Sequence, residues 1–292
     1  MLDTRIATFL CVCKYMNFTK AATELNLTQP AVSKQIKFLE GYYNTKLFSY
    51  SKKTLSLTPQ GIYLKNTMET FYHDSARIKD EITRINNLKS IHIGATMSIG
   101  NFYLPDKLSL FIKKHPELTI SVTINDTASL LSALDAGQID FILCEGYFDK
   151  EKYDSFFIRQ EKIICVCSPD YGIHSPCRIK DLFSHKILLR EEGSGTREVL
   201  ERKLATLGYS LNDFKNQCIL SSPSLIVKML LDNNGISFLY ESVIKEELEN
   251  HCLSPVSISN FDLNHEFNAV WKRGSIFTDT YNEYIKELVC FS

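Results

Sequence analysis

The sequence of 292 residues lacks the short motifs that mark the common enzyme chemistries. It has no G-x-S-x-G nucleophile elbow, H-E-x-x-H zinc helix, G-x-x-x-x-G-K phosphate loop or clean G-x-G-x-x-G turn, and Gly193-Ser194-Gly195 is too short to count. The seven histidines show no ligand spacing, so we expect neither an enzyme nor a bound metal or cofactor. Repeated cysteine spacing is missing too. Nine scattered cysteines in a chain this long read as reduced thiols. The C-x-C pairs Cys11/Cys13 and Cys165/Cys167 sit in apolar runs, which favours buried packing over zinc ligation.

Long apolar runs are also absent. The opening MLDTRIATFLCVCKYMNF is broken by Asp3, Arg5 and Lys14 and has no small-residue cleavage site, which predicts a cytoplasmic protein without a membrane span. With no Gly/Pro/Ser-rich tract, 44% hydrophobic and 23% charged residues describe an ordinary globular chain, long enough for two or three domains. A net charge of −1 conceals an asymmetry: residues 1–58 hold eight Lys/Arg against three Asp/Glu, a net of +5 that leaves −6 on the remainder. A basic module on an acidic body points to a polyanion partner for the first and a separate role for the second.

Within the basic module, Ile6, Phe9, Leu10 and Cys13 recur at helical spacing. Thr19 is a candidate cap for a second helix, KAATELN, whose Ala21, Ala22 and Leu25 permit close packing. Thr28 caps a third, with Pro30 in its first turn. Val32, Ile36 and Leu39 face inward there, leaving Gln29, Ser33, Lys34 and Lys37 on the outer side, a set suited to base edges and phosphates. The segment SYSKKTLSLT then reads as a β-hairpin with Lys52 and Lys53 at its tip and Leu55 and Leu57 inward. Two helices joined by a short turn and followed by a basic hairpin predict a winged helix-turn-helix on double-stranded DNA.

From residue 59 to 88, Leu64, Met68, Phe71, Ser75, Ile78, Ile82 and Ile85 follow one another in alternating steps of four and three. This is a heptad seam on a helix of about 45 Å. Its stripe must pack either on the chain's own second half or, the reading we favour, on a second copy. Beyond Ser90, strand-like and helical runs alternate in two series (SIHIGA to IDFILCEG, then KIICVCS to ISFLY), closed by FNAVWK and a last helix from Thr278. That alternation predicts two α/β lobes with a cleft at the strand ends. Thr96-Met97-Ser98, Ser194-Gly195-Thr196 and Ser221-Ser222 each place hydroxyls where a helix opens. Each suits simple capping, and three on one cleft suit an anion. Arg190, Glu191, Glu192 and Arg197 either select ligand charge or pair with one another.

The run FTKAATELNLTQPAVSKQIKFLEGYYNTKLF followed by LSLTPQG resembles the LysR-type transcriptional regulators across nearly all of their DNA-binding signature. Thr28 and Tyr50 depart from it, standing where the family usually has Ser and Arg, and Tyr50 removes a positive charge beside the wing. IGATMSIGNFYLP, IDFILCEG and LLREEGSGTR are most similar to the branch regulating sulfur assimilation and carbon fixation. The peroxide-sensing branch fits less well, since the stretch around REEGSGTR holds no cysteine.

The resemblance implies promoter DNA as partner, homodimers that pair into tetramers, and a two-lobed effector domain akin to periplasmic binding proteins. It also implies effector contacts from Thr96, Ser98 and Thr196 with Glu145 at the cleft wall; Ser194 and Ser221 join them from the hydroxyl loops. The expected divisions are a DNA-binding domain at 1–58, a linker helix at 59–88 and an effector domain at 89–292. Lobe I takes about 89–161 and 266–292, and lobe II about 162–265. The effector expected is an oxyanion or anionic metabolite.

Overall fold

The computed structural model describes residues 3–51, 54–83 and 90–289. Three helices open the chain: α1 (Thr4–Tyr15), α2 (Phe18–Glu24) and α3 (Gln29–Tyr42). Asp3 caps α1 by accepting the Arg5 amide, and Thr28 caps α3 by accepting from the Ala31 amide, with Pro30 in the first turn. The cap of α2 is Asn17, which accepts from the amides of Thr19 and Lys20, and not the expected Thr19. Asn17 reaches two amides at once from extended backbone, so the helix starts at Phe18 and that ring joins the core edge.

Phe9, Val12, Ala21, Val32, Ile36 and Leu39 form a common core between the three helices. The hairpin of β1 (Phe48–Ser51) and β2 (Thr54–Leu57) adds Phe48, Leu55 and Leu57 to it. Glu40 fixes the base of this hairpin, accepting from the amides of Leu47 and Phe48 and from Lys46 Nζ. Burial pushes the Glu40 carboxyl up, but these donors together outweigh it and hold the group below its ordinary value.

Helix α4 (Pro59–Thr83) joins the two halves of the molecule. At its start Leu64 is buried and Met68 and Tyr72 are partly buried against the helix-turn-helix core. Farther along, a polar clasp holds it to lobe I. His73 lies between the Asp74 carboxylate and the Ile139 carbonyl, Asp74 accepts from Ser275 Oγ and the Ile276 amide, and Arg77 pairs with Asp140. Gly137, at φ 70°, lets the two surfaces meet; a Cβ there would come within 2.8 Å of Ala76 Cβ. Of the heptad positions, Phe71, Ile78 and Ile82 stay exposed, while Ile85 lies outside the described residues.

Beyond the helix, β3 (Ser90–Ala95) is followed by a π-helical turn, Ile99–Tyr103, that runs into α5 (Leu104–Lys114). Next come β4 (Thr119–Ile124), α6 (Thr127–Asp135), β5 (Phe141–Cys144) and β6 (Tyr153–Cys167). The second series is β7 (Lys186–Arg190), α7 (Gly195–Thr206), β8 (Asn216–Leu220), α8 (Pro223–Leu231) and β9 (Ile236–Tyr240). Short α9 (Lys245–Glu249) and β10 (Ser254–Val256) precede β11 (Asn264–Lys272) and α10 (Thr278–Val289).

The strands run in the order β4-β3-β5-β11-β6-β9-β7-β8, with β10 on β6. The β3, β4 and β5 group and the β7, β8 and β9 group are each internally parallel. Strand β6 joins the lobes: residues 153–162 pair with β11, and residues 163–167 pair with β9. It begins at Tyr153, well before the apolar run KIICVCS that signals it in sequence. Its first half alternates partly buried Phe156 and Ile158 with exposed positions, so it carries no continuous apolar signal. The chain geometry is thus an α/β body of two lobes behind a three-helix module with a small two-stranded wing.

Candidate functional site: the lobe cleft and the recognition helix

Parallel strands point their carboxyl ends toward the seam between lobes, and the loops leaving β3, β5 and β7 meet there. From β3 come Thr96 and Ser98; from β5, Glu145; from β7, Arg190, Ser194 and Thr196. All six are no more than 5% exposed. Ser98 Oγ lies 3.5 Å from Thr196 Oγ1, a contact between the two lobes, and Thr96 Oγ1 donates to Glu145 Oε2. Gly195 opens α7 directly against lobe I, where a Cβ would stand 3.0 Å from the Gly146 nitrogen and 3.1 Å from Glu145 Cγ. Only the smallest residue lets these loops close on each other.

Ser194 occupies the cap position of α7, yet its hydroxyl makes no capping bond and is buried with no partner among the described residues. Tyr240, at the end of β9, likewise buries its hydroxyl unpaired among those residues. Burying a hydroxyl without a partner is costly, so these two positions mark polar demand that the described side chains leave unmet. Ser221 follows β8 and is exposed. The register that pairs Arg190 with Leu220 sets it one step beyond that pair, at the carboxyl end of the edge strand β8.

Burial raises the Glu145 carboxyl above its ordinary value; Thr96, Ser98 and the positive charge of Arg190 pull the other way without cancelling it. The four charged residues of LLREEGSGTR do pair among themselves. Arg190 donates to both oxygens of Glu191 from Nε at 2.9 Å and Nη2 at 2.8 Å, and Arg197 meets Glu201 at 2.8 Å and Glu192 at 3.7 Å. A cavity of about 340 Å³ opens elsewhere, between α4 and lobe I, lined by Tyr63, Phe71, Lys272 and Ile276 among others. It shares no residue with the cleft. The cleft is the better candidate because it concentrates buried polar groups from both lobes.

On the DNA-binding module, Gln29, Lys34 and Lys37 are exposed along α3 and Ser33 is half-buried; Gln29 Nε2 donates to Ser33 Oγ at 2.9 Å. Lys52 and Lys53 lie outside the described residues. Tyr50, paired across the wing with Leu55, is 74% exposed, so its ring covers no core. Among the cysteines, Cys13, Cys165 and Cys167 are buried, and burial pushes the Cys13 thiol up to about 12. Among the described residues no group of three or more His, Cys, Asp or Glu is placed to hold a metal, and no helix is long and apolar enough to cross a membrane.

Sequence reasoning named Ser194 but missed the clasp and the orphaned hydroxyl of Tyr240. Asp74 and Arg77 stand at helical spacing in an otherwise amphipathic helix, a signal available in the sequence, whereas nothing in it marks Tyr240.

A DNA-binding head, a connecting helix and a cleft between two α/β lobes define the class of transcription regulators with an effector-binding domain. The chain belongs to the LysR family: residues 4–62 match the bacterial regulatory helix-turn-helix protein, lysR family, and residues 87–288 match the LysR substrate binding domain. It is 28% identical over 270 residues to the HTH-type transcriptional regulator CysL of Bacillus subtilis, covering 91% of this chain and 89% of that one. To the RuBisCO operon transcriptional regulator of Allochromatium vinosum it is 24% identical over 281 residues, covering 92% and 89%. Both relatives match the branch named from the cleft-loop runs. A full-length OxyR variant from Pseudomonas aeruginosa superposes with a TM-score of 0.59 at 17% identity over 99% of each chain. These relatives are regulators, not enzymes.

Proposed function

We propose that this regulator binds a small anionic metabolite between its lobes and converts that occupancy into a change in how it holds promoter DNA. The observation that carries the reading is the set of buried hydroxyls at the seam, Thr96 and Ser98 from one lobe and Ser194 and Thr196 from the other, with Ser98 and Thr196 3.5 Å apart. Hydroxyls and free amides at the start of α7 suit an oxyanion. Glu145 stands at the wall; burial raises its pKa, which favours the protonated form, and in that form its O–H can donate a hydrogen bond to a ligand instead of repelling it. Ser221 would close the mouth.

On DNA, Gln29 and Ser33 read base edges from α3, and Lys34, Lys37 and the wing lysines Lys52 and Lys53 take phosphates. The exposed Phe71, Ile78 and Ile82 on α4 support a second copy packing along that helix, giving dimers that pair into tetramers and present recognition helices to successive half-sites. The working divisions are 1–58, 59–88 and 89–292, in a cytoplasmic protein. A ligand closing the lobes acts through these contacts only if it binds one arrangement more tightly.

Thermal shifts of the full chain in sulfite, sulfate, phosphate and small anionic metabolites test the reading, beside a Thr96→Ala/Thr196→Ala variant. A saturable shift that the variant abolishes is the expected result. If none of the anions shifts the wild type, the cleft is not an anion site.

A further inference from the structure

A buried guanidinium in the seam goes further than the hydroxyls do. Arg190 ends β7 with its side chain 5% exposed, and an arginine is charged at any working pH. Its counter-charge is Glu191, the next residue, whose side chain is 28% exposed. The carboxylate grips one edge of the fork, Nε and Nη2. At the far end, the second contact of Nη2 is Met97 Sδ at 3.5 Å, and Met97 sits between Thr96 and Ser98. A thioether is a weak acceptor for a charged donor in so dry a place.

We propose that Arg190 selects the effector by its charge, binding an oxyanion with two available oxygens across its Nη1–Nη2 edge in place of the Met97 sulfur, while Glu191 is the built-in counter-anion that neutralises the guanidinium when the cleft is empty. The proposal rests on the cleft being the effector site. Bidentate geometry favours carboxylate, sulfate or phosphate groups over singly coordinating anions. The edge facing Met97 points a bound anion toward the loop of Thr96 and Ser98, so the same group can meet hydroxyls from lobe I. Glu191 then also sets the affinity, because its charge opposes the incoming one. The arrangement holds the site weak and releasable while keeping it specific for anions.

The test uses the full chain in titrations with sodium sulfate, inorganic phosphate and malonate, at ionic strength held constant with sodium chloride. Sulfate and phosphate report on a tetrahedral group and malonate on a carboxylate. Wild type is expected to bind at least one of these saturably, Arg190→Gln to bind it at least tenfold more weakly, and Glu191→Gln about tenfold more tightly. The gain in Glu191→Gln is a result that mere misfolding of a variant does not produce. Unchanged or weaker binding in Glu191→Gln overturns the counter-anion role. Binding that survives Arg190→Gln but is lost in Thr96→Ala/Thr196→Ala leaves the cleft standing and removes Arg190 as selector. Loss in Arg190→Gln with retention in the double-threonine variant does the reverse: Arg190 binds anions, outside the hydroxyl cleft. No binding by wild type overturns both readings.

Discussion

The recognition helix and the lobe cleft handle polar side chains in opposite ways. On α3, Gln29, Lys34 and Lys37 are exposed and the helix takes its stability from the other face, through Val32, Ile36 and Leu39. In the cleft Thr96, Ser98, Glu145, Arg190, Ser194 and Thr196 are all buried, and the structure must answer each of their hydrogen-bonding needs. A surface that meets a large partner keeps its chemistry in water until the partner arrives. A site for a small guest desolvates its chemistry beforehand, at a cost in stability that the guest relieves.

The same contrast extends to α4, which is half apolar seam and half buried clasp. Its apolar positions Phe71, Ile78 and Ile82 are exposed, whereas His73, Asp74 and Arg77 are buried against lobe I. Breaking the clasp should give the largest effect on stability. Arg77→Met removes the partner of buried Asp140, and loss of one member of a buried pair typically costs about 3–5 kcal/mol. Asp140 keeps the His92 amide at 2.8 Å, which places the expected loss near the lower end of that range. Urea unfolding followed by tryptophan fluorescence at Trp271, on β11, measures it. A variant as stable as wild type would mean that the helix is held by its apolar contacts and the clasp is incidental.

Next in size is the effect at the recognition helix. Gln29→Ala is expected to lose about 1–3 kcal/mol of discrimination between the preferred sequence and random DNA, with little change on the latter. Lys34→Ala should weaken binding to both and lower the slope of log K against log salt by about 1. Fluorescence anisotropy on two oligonucleotides at several salt concentrations separates these outcomes. If Gln29→Ala weakened both sequences equally, the reading face would lie elsewhere on α3.

What the sequence revealed follows this division between exposed and buried. Periodicity locates α1, α3 and the wing strands, each with one apolar face and one wet one, while β5 and β9 are legible as short apolar runs because they are buried along their whole length. The start of β6 at Tyr153 escapes both signals, since its first ten residues, YDSFFIRQEK, mix polar, charged and aromatic side chains without a continuous apolar run and are ordered by pairing with β11. The cap of α2 lies at Asn17, two residues before Thr19: both are capping types, Asn the stronger of the two, and extended backbone at Asn17 lets its side chain reach two amides. In the cleft the hydroxyl loops were legible as types, through their place after strands. Their meeting is tertiary: Ser98 and Thr196 are far apart in the chain and touch because Gly195 admits Gly146 beside it. Arg190 is the clearest case of an ambiguity that sequence leaves open, for pairing with Glu191 and facing the seam are both true of it.

The smallest expected effect lies at Glu145 and bears most directly on that comparison. Its folded-state pKa is raised, chiefly by burial, so the folded protein holds the proton more tightly than the unfolded chain does. The contribution to stability is therefore full below the ordinary carboxylate value of 4.5 and declines as pH rises through the folded pKa. Glu145→Gln is isosteric and cannot ionise, and it retains an oxygen to accept from Thr96. Without ligand, the variant should melt a few degrees above wild type at pH 8, at roughly 2–4 °C per kcal/mol, and the difference should shrink toward pH 4. Melting curves from pH 4 to 8 follow it directly. A Glu145→Gln variant less stable than wild type at pH 8 would show that the ionised carboxylate is paired in the cleft, by Arg190 above all, and that the buried site is already satisfied without a guest.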